Sequence, residues 1–455
     1  MNTTIAAIAT AAGKAGIAVV RLSGPEAYAI GAKVFRPINP SKQLQNAAGY
    51  TALFGHFVRN GQRCDEAVAL CFRAPKSYTG EDVVELSVHG GTAVVENLLK
   101  ACYEAGAVPA AAGEFTKRAF LSGRISLTQA EAVMEMINAT SQQGAAAANA
   151  ALEGALYRRI HTVSDTLTVL AGHIAAFTDY PEEDVDELST EHLIETLTGA
   201  EQILCALIDN YEAGSILRRG VSTAIVGSPN VGKSTLLNLL AGCEKAIVTP
   251  VAGTTRDVVE QDVSLGGTTL LLADTAGMRV TEDIVEAEGI RRSNQRFEEA
   301  NLVLAVFDGS RPLSDEDKQL ALRCKGRLAL AIINKSDLSQ VIDIADYTEC
   351  FKNIIYVSAK EDSDMQKIAE AIRALVISAD IDPDAALLAN QRQLACAKTA
   401  QQALQEALTA AKEGFAVDAV SVCVDDALAA LYELTGESAT DAVIEEVFSK
   451  FCVGK

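Results

Sequence analysis

Apolar positions in the first 122 residues change period several times. TTIAAIAT (3–10) and GIAVVRL (16–22) alternate or run apolar at strand length, and Ser23-Gly24-Pro25 then opens a helical stretch. YTALFGHFV (50–58) and EAVALCFRA (66–74) flank Asn60-Gly61, a strong hairpin signal because both residues of a tight turn need positive φ. DVVELSVHGG (82–91) predicts another strand, followed by the helical pattern TAVVENLLKACYEAG (92–106). From about 123 to 218 the pattern is helical. QAEAVMEMINATSQQGAAAANAALEGAL (129–156) carries apolar residues three and four apart, few β-branched residues and no proline. Tyr180-Pro181-Glu182-Glu183-Asp184 interrupts that run and reads as a solvated turn opening another helix. Between 219 and about 378, short strand-like runs (VSTAIVG, TTLLLADTAG, NLVLAVFDG, RLALAIINKSD, NIIYVSAK) alternate with helix-like segments. That alternation predicts a doubly wound, mostly parallel sheet covered on both faces. The alanine-rich helical pattern returns from 379 to the end.

The simplest division is therefore an N-terminal α/β domain (1–122), a helical domain in two parts (123–218 and 379–455), and an α/β domain (219–378) inserted into it. Composition narrows the function classes. With 39 Lys+Arg against 60 Asp+Glu, the net charge of −21 argues against wholesale coating of nucleic acid, which needs cations facing phosphate. Arg158-Arg159 and Arg218-Arg219 read as solvated helix ends or linker charges rather than phosphate contacts. No uncharged apolar run reaches the roughly 18 residues that span a bilayer, so no membrane partner is expected. The ten cysteines include no CxxC, which fits reduced thiols in a cytoplasmic protein rather than a zinc site or disulfide framework.

The inserted domain carries the clearest chemistry. Gly227-Ser-Pro-Asn-Val-Gly232-Lys233-Ser234 satisfies GxxxxGK[ST] between a strand and a helical run. In such a loop the backbone N–H groups from Asn230, Val231 and Gly232 through Thr235 face phosphate, Lys233 supplies a cation, and the Ser234 hydroxyl is a Mg²⁺ ligand. Asp274-Thr275-Ala276-Gly277 ends a later strand, where the aspartate reaches Mg²⁺ through water and the glycine N–H meets the γ-phosphate. Asn334, Lys335 and Asp337 of NKSD come next; a carboxylate there accepts two guanine N–H groups but would face the acceptor N1 of adenine. Ser358, Ala359 and Lys360 follow the last strand, placed for backbone contact with the base. These motifs in GTPase order predict GTP binding. Thr255 stands where a switch threonine binds Mg²⁺. Met278 occupies the position of a water-orienting glutamine and cannot do that work. Arg256 and Arg279 are candidates for an arginine finger beside plain surface or structural roles, and sequence does not choose between them.

Taken together, SYTGEDVVEL, HGG, GEFTKRAFLSGR with QAEAV, YPEED, GSPNVGKST, AGTTRD, DTAGMR, NKSD and the terminal FCVGK resemble the MnmE (TrmE) family of tRNA uridine-modification GTPases along the whole chain. The resemblance implies a homodimer whose N-terminal domain binds a one-carbon tetrahydrofolate, either 5,10-methylenetetrahydrofolate or 5-formyltetrahydrofolate as a bound analogue. It implies a flavoprotein partner, MnmG, carrying FAD and joining the chain in a heterotetramer, and tRNA as substrate. The shared chemistry is addition of an aminomethyl or carboxymethylaminomethyl group to C5 of the wobble uridine of certain tRNAs. By motif position Arg21, Glu85, Arg124 and Lys455 correspond to the folate-contacting positions; Arg124 departs from a lysine, keeping charge but not geometry. The bare sequence leaves open the plain reading of Glu85 as one half of a surface ion pair, and reads His89 as structural rather than catalytic.

The resemblance also implies activation by K⁺, with Asn230 as side-chain ligand and oxygens of Thr249, Val251 and Thr254 completing the site, and Glu286 orienting water through a second water. Cys452 is a candidate catalytic thiol within FCVGK, against the plain reading of a small buried apolar residue. A competing reading is a regulatory GTPase switch that controls assembly of a ribosomal or other complex without one-carbon chemistry. A dimeric scaffold that uses nucleotide only to change shape is a third.

Overall fold

The computed structural model describes residues 3–139, 141–179, 189–212, 214–215, 220–242, 260–265, 268–273, 297–298, 300–360, 364–376 and 386–455. The chain forms two compact units. The first comprises Met1–Met134, Ile160–Thr198 and Thr399–Lys455; the second comprises Glu135–Arg159 and Gly199–Lys398.

In the first unit, seven strands form one sheet: β1 (Ile5–Ile8), β2 (Ile17–Ser23), β3 (Phe35–Pro37), β4 (Thr51–Arg59), β5 (Gln62–Phe72), β6 (Val83–His89) and β7 (Val108–Pro109). Their order is β3-β4-β5-β6-β2-β1-β7. Every pairing is antiparallel except β1 with β7. Asn60 (φ 51°) and Gly61 (φ 78°) make the turn between β4 and β5, as the dipeptide predicts. Alternation along β2 and β6 sends Ala18, Val20, Leu22, Val84, Leu86 and Val88 into a core shared with Tyr28, Ile30, Leu98 and Cys102. Those last residues belong to the helices Ala27–Val34 and Thr92–Glu104. A period of two then leaves Arg21 and Glu85 on the opposite face, directly across from each other in register. The helix Glu114–Leu121 follows, and a smaller cluster of Leu127, Ala130, Ile444, Val447, Phe448 and Phe451 ties the last helix, Asp441–Ser449, into the same unit.

The long helical pattern at 129–156 is not one helix. It divides into Leu127–Asn138, Gln142–Leu152 and the start of Ala155–Asp179. Ser141 adopts an extended backbone and its side chain accepts from the Gly144 N–H, so a serine inside the periodic run acts as an N-cap and starts a new helix. The remaining long helices are Thr190–Asp209, Gln391–Glu413 and Val417–Thr435. The YPEED segment lies outside the described residues. Among those residues, no helix is long and apolar enough to cross a membrane.

The second unit contains β8 (Val221–Val226), β9 (Glu260–Leu265), β10 (Thr268–Ala273), β11 (Leu302–Asp308), β12 (Ala329–Asn334) and β13 (Asn353–Tyr356), in the order β13-β12-β11-β8-β10-β9. The strands pair in parallel except β9, an antiparallel edge. Every residue of β11 and β12 is buried, because apolar clusters cover both faces of the sheet. This is the doubly wound architecture that the alternating pattern predicts. The strand order reverses beside β8, so the loop leaving its C-terminal end sits where such sheets bind ligands.

Candidate functional site

The loop after β8 enters the helix Lys233–Gly242. Three of its residues have positive φ: Gly227 (157°), Asn230 (65°) and Gly232 (101°). A Cβ on Gly232 would stand 2.1 Å from Asn334 Nδ2, so this position needs glycine for space as well as for conformation. Lys233 Nζ donates to the carbonyls of Gly227 (2.7 Å) and Ser228 (2.8 Å). Burial pushes its pKa below the ordinary lysine value. Ser234 and Thr235 are exposed at the helix N-terminus, where backbone N–H groups lack intrahelical partners.

Asn334 closes β12 and is buried. Its Nδ2 donates to Val231 O (2.8 Å), and its Oδ1 accepts from Ala359 N (2.9 Å). One amide thus joins the phosphate loop, the NKSD loop and the Ser358-Ala359-Lys360 loop. Ser358 Oγ donates to Asp337 Oδ1 (3.0 Å), leaving that exposed carboxylate oriented by the loop that the sequence assigns to the base. Lys335, at φ 64°, turns its Nζ to Asp308 Oδ2 (2.5 Å). Burial alone would raise the Asp308 carboxyl, but hydrogen bonds from Lys335 and Ser310 outweigh it and hold the group below its ordinary value. The structure therefore brings together Asn230, Val231, Gly232, Lys233, Ser234, Thr235, Asn334, Lys335, Asp337, Ser358, Ala359 and Lys360 at one end of the sheet. Thr249, Val251, Thr254, Thr255, Asp274, Thr275, Ala276, Gly277 and Glu286 lie outside the described residues, as do Arg256, Met278 and Arg279.

A second polar cluster occupies the first unit. Arg21 Nε donates to Glu85 Oε1 at 2.7 Å, with side chains only 15% and 19% exposed. The ion pair left open by the bare sequence is thus the one formed, but sheltered. The Arg21 guanidinium lies 5.3 Å from the Tyr78 ring centroid and 5.5 Å from that of Phe115. Arg124 sits over the same tyrosine (5.6 Å) and donates to its backbone oxygen. Tyr78 Oη shares a hydrogen bond with Thr116 Oγ1 (2.9 Å).

The last five residues close this cluster. Ala112 and Val453 form an antiparallel bridge, Phe115 N–H donates to Lys455 O (3.2 Å), and Arg21 Nη1 donates to Gly454 O (3.5 Å). Arg21, Glu85, Arg124 and the backbone of Lys455, chosen across 434 positions of sequence separation between 21 and 455, meet in one place. Cys452 is exposed rather than buried. Tyr78, Phe115 and Thr116 were not singled out from sequence; the SYTGEDVVEL and GEFTKRAFLSGR motifs contain all three, but only the fold sets them against Arg21. His89 is also exposed and pairs through Nδ1 with Asp65 Oδ1 (2.7 Å), outside the cluster and consistent with the structural reading. Among the described residues no group of His, Cys, Asp and Glu is placed to hold a metal ion.

Phosphate loop, NKSD loop and strand order define a P-loop guanine-nucleotide fold. Residues 127–452 match the family profile for the MnmE helical domain, and residues 4–124 match that for the GTP-binding protein TrmE N-terminus. The chain is 41% identical over 454 residues to the tRNA modification GTPase MnmE of Lactococcus lactis subsp. lactis, covering 99% of this chain and 98% of that protein. The MnmE proteins of Alkaliphilus metalliredigens (100% of each chain) and Bacillus velezensis (99% and 100%) are each 40% identical to it. The chain belongs to the MnmE family of tRNA modification GTPases.

Proposed function

We propose that the chain hydrolyses GTP with Mg²⁺ and K⁺ bound and, as a homodimer working with the flavoprotein MnmG and its FAD, modifies C5 of the wobble uridine of certain tRNAs. The carbon donor in this reading is a one-carbon tetrahydrofolate held in the first unit. The observation that carries it is the sheltered Arg21–Glu85 pair, flanked by Arg124 and Tyr78 and closed by the 451–455 tail, in a chain that also carries a phosphate loop. A GTPase acting only as a switch has no use for such a cluster.

The residues fit the groups assigned to them. Gly227 and Gly232 leave a loop that a Cβ would obstruct, and Lys233 Nζ rests on its carbonyls, positioned to turn toward β- and γ-phosphate oxygens. The exposed Ser234 hydroxyl would hold Mg²⁺, and Asn230, exposed at φ 65°, would offer its side-chain oxygen to K⁺. When bound, these cations would supply positive charge beside the phosphates. Asp337, held by Ser358, would accept the two N–H groups that mark guanine. In the first unit Arg21 engages Glu85 through Oε1, and in this reading that carboxylate would accept from the amino and N–H edge of a pterin. Arg124 and Lys455 would face the polar ring oxygens and carboxylates of the folate. Cys452, exposed on the same tail, would be the thiol of this reading.

The test is GTP turnover by the purified chain in KCl and NaCl at equal ionic strength, with calorimetric titration of 5-formyltetrahydrofolate alongside. A K⁺-specific rate lost in Asn230→Ala, and folate binding lost in Glu85→Ala, are the expected results. Equal slow rates in both salts with no folate binding would transfer the assignment to the regulatory switch.

A further inference from the structure

Outside the nucleotide motifs, the segment from Asp308 to Asp317 reaches both loops of the nucleotide site. Asp317 lies in the first turn of the helix Asp315–Arg323 and is 2% exposed. Its Oδ1 accepts from Ser228 Oγ of the phosphate loop at 2.6 Å. Its Oδ2 accepts from Ser314 N (3.0 Å) and Ser314 Oγ (2.8 Å), completing a capping box, and pairs with Arg311 Nη2 (3.2 Å). Arg311 also approaches Asp308 Oδ2, with Nε at 3.9 Å, and that same oxygen holds Lys335 of NKSD. The backbone of Ser228 accepts from Lys233, so fastening the Ser228 side chain also places a carbonyl that orients the loop lysine.

We propose that Asp317 is a positioning residue for the phosphate loop, acting through Ser228, and that Arg311 joins it to Asp308, which does the same for Lys335 of the base-reading loop. Two buried carboxylates on one short segment thereby brace the two ends of a bound guanine nucleotide. A helix cap alone needs Ser314 and Asp317, and gives no reason for Ser228 to be drawn onto the same carboxylate. Ser228 in turn is the second residue of the loop, before the positive-φ residue Asn230, where a lost tether changes the path of the loop. Hydrogen bonds from Ser228 and Ser314, with the Arg311 charge, outweigh burial and keep Asp317 ionised as an acceptor.

The inference rests on the GTP-binding reading, and the experiment separates the two. Fluorescent-nucleotide competition on the full chain measures affinity for GDP and for GMP, which lacks the phosphate that the loop encloses. Failure of the unaltered chain to bind GDP would refute the GTP-binding reading itself. Given binding, Asp317→Ala and Ser228→Ala should each weaken GDP about tenfold, the low end of one charge-assisted hydrogen bond. GMP affinity should stay within about twofold in both, and the double variant should be no worse than either single one. Asp317→Asn keeps an acceptor for Ser228 and should recover most of the GDP affinity. Asp308→Ala should instead weaken GDP and GMP by the same factor. Equal loss of GDP and GMP in Asp317→Ala, additive effects with Ser228→Ala, or unchanged GDP affinity would each overturn the assignment. Thermal melting of every variant identifies loss by unfolding; if Asp317→Ala melts early, Ser228→Ala, which leaves the capping box intact, decides the question.

Discussion

Replacing Gly454 by alanine should release the C-terminal tail from the first unit. Gly454 has φ 104°, and a Cβ there would lie 2.1 Å from Ile8 O and 3.1 Å from Ile8 C. The obstruction is backbone of β1, so no side-chain rotation relieves it, and alanine at this φ adds about 1–2 kcal/mol of its own. Holding the tail in place are Gly113 N–H to Cys452 O (3.4 Å), Phe115 N–H to Lys455 O (3.2 Å) and Arg21 Nη1 to Gly454 O (3.5 Å). These are long bonds, worth together about 2 kcal/mol at the lower end of the usual range. Strain of that size or more cancels them and lowers the docking equilibrium constant by about thirtyfold or more, so the docked fraction should fall from nearly complete to about half or less. Hydrogen exchange followed by mass spectrometry over residues 110–121 reads this directly. Phe115 N–H lies in the first turn of its helix, has no intrahelical acceptor, and loses protection when Lys455 O departs. The peptides of β1 and β2 should keep theirs, because the sheet does not depend on the tail. A Phe115 amide in Gly454→Ala that exchanges as slowly as in the unaltered chain would refute the argument that this close approach requires glycine.

Asn334→Ala leaves Val231 O and Ala359 N without partners in a buried site; at about 1–3 kcal/mol per orphaned group, GDP affinity should fall at least tenfold, checked by fluorescent-nucleotide titration. Arg118 is 2% exposed between Glu81 and Glu114 and also donates to Thr3 O, so Arg118→Leu should cost about 3 kcal/mol in urea unfolding of this unit. The hydrogen bond to Asp65 raises the His89 pKa, while bonds from His89, outweighing burial, lower that of Asp65. A raised imidazole pKa stabilises the fold at lower pH and loses that contribution as pH rises through the folded value. A lowered carboxyl pKa stabilises at higher pH and loses its contribution as pH falls through the folded value, so the pair acts between the two titrations. Asp65→Asn should return the NMR titration of His89 toward the ordinary imidazole range; an unmoved midpoint would exclude the pair as its cause.

Much of the architecture was legible from local chemistry. Asn60-Gly61 specifies a hairpin because few other pairs tolerate two positive φ values, and β11 and β12 read as buried because their apolar runs have no polar side to expose. The phosphate loop is contiguous, so its glycines, Lys233 and Ser234 are visible together. EQDVSL was not read as a strand, since an edge strand such as β9 carries polar residues and takes its identity from pairing with β10. Ser141 was hidden inside a helical period because a cap is a matter of backbone geometry rather than composition.

By itself, then, the sequence determined element types, the parallel sheet and the nucleotide motifs, all of which depend on residues within a few positions of one another. The tertiary structure decided what distant residues do to each other. Strand order and register place Arg21 opposite Glu85; the docking of 451–455 brings Gly454 O to Arg21; and Asn334 binds two loops 103 and 25 residues away. The Asp317–Ser228 contact spans 89 residues and belongs to no contiguous motif. Such contacts arise from sheet topology and from the need of buried polar groups to find partners, and neither leaves a periodic trace along the chain.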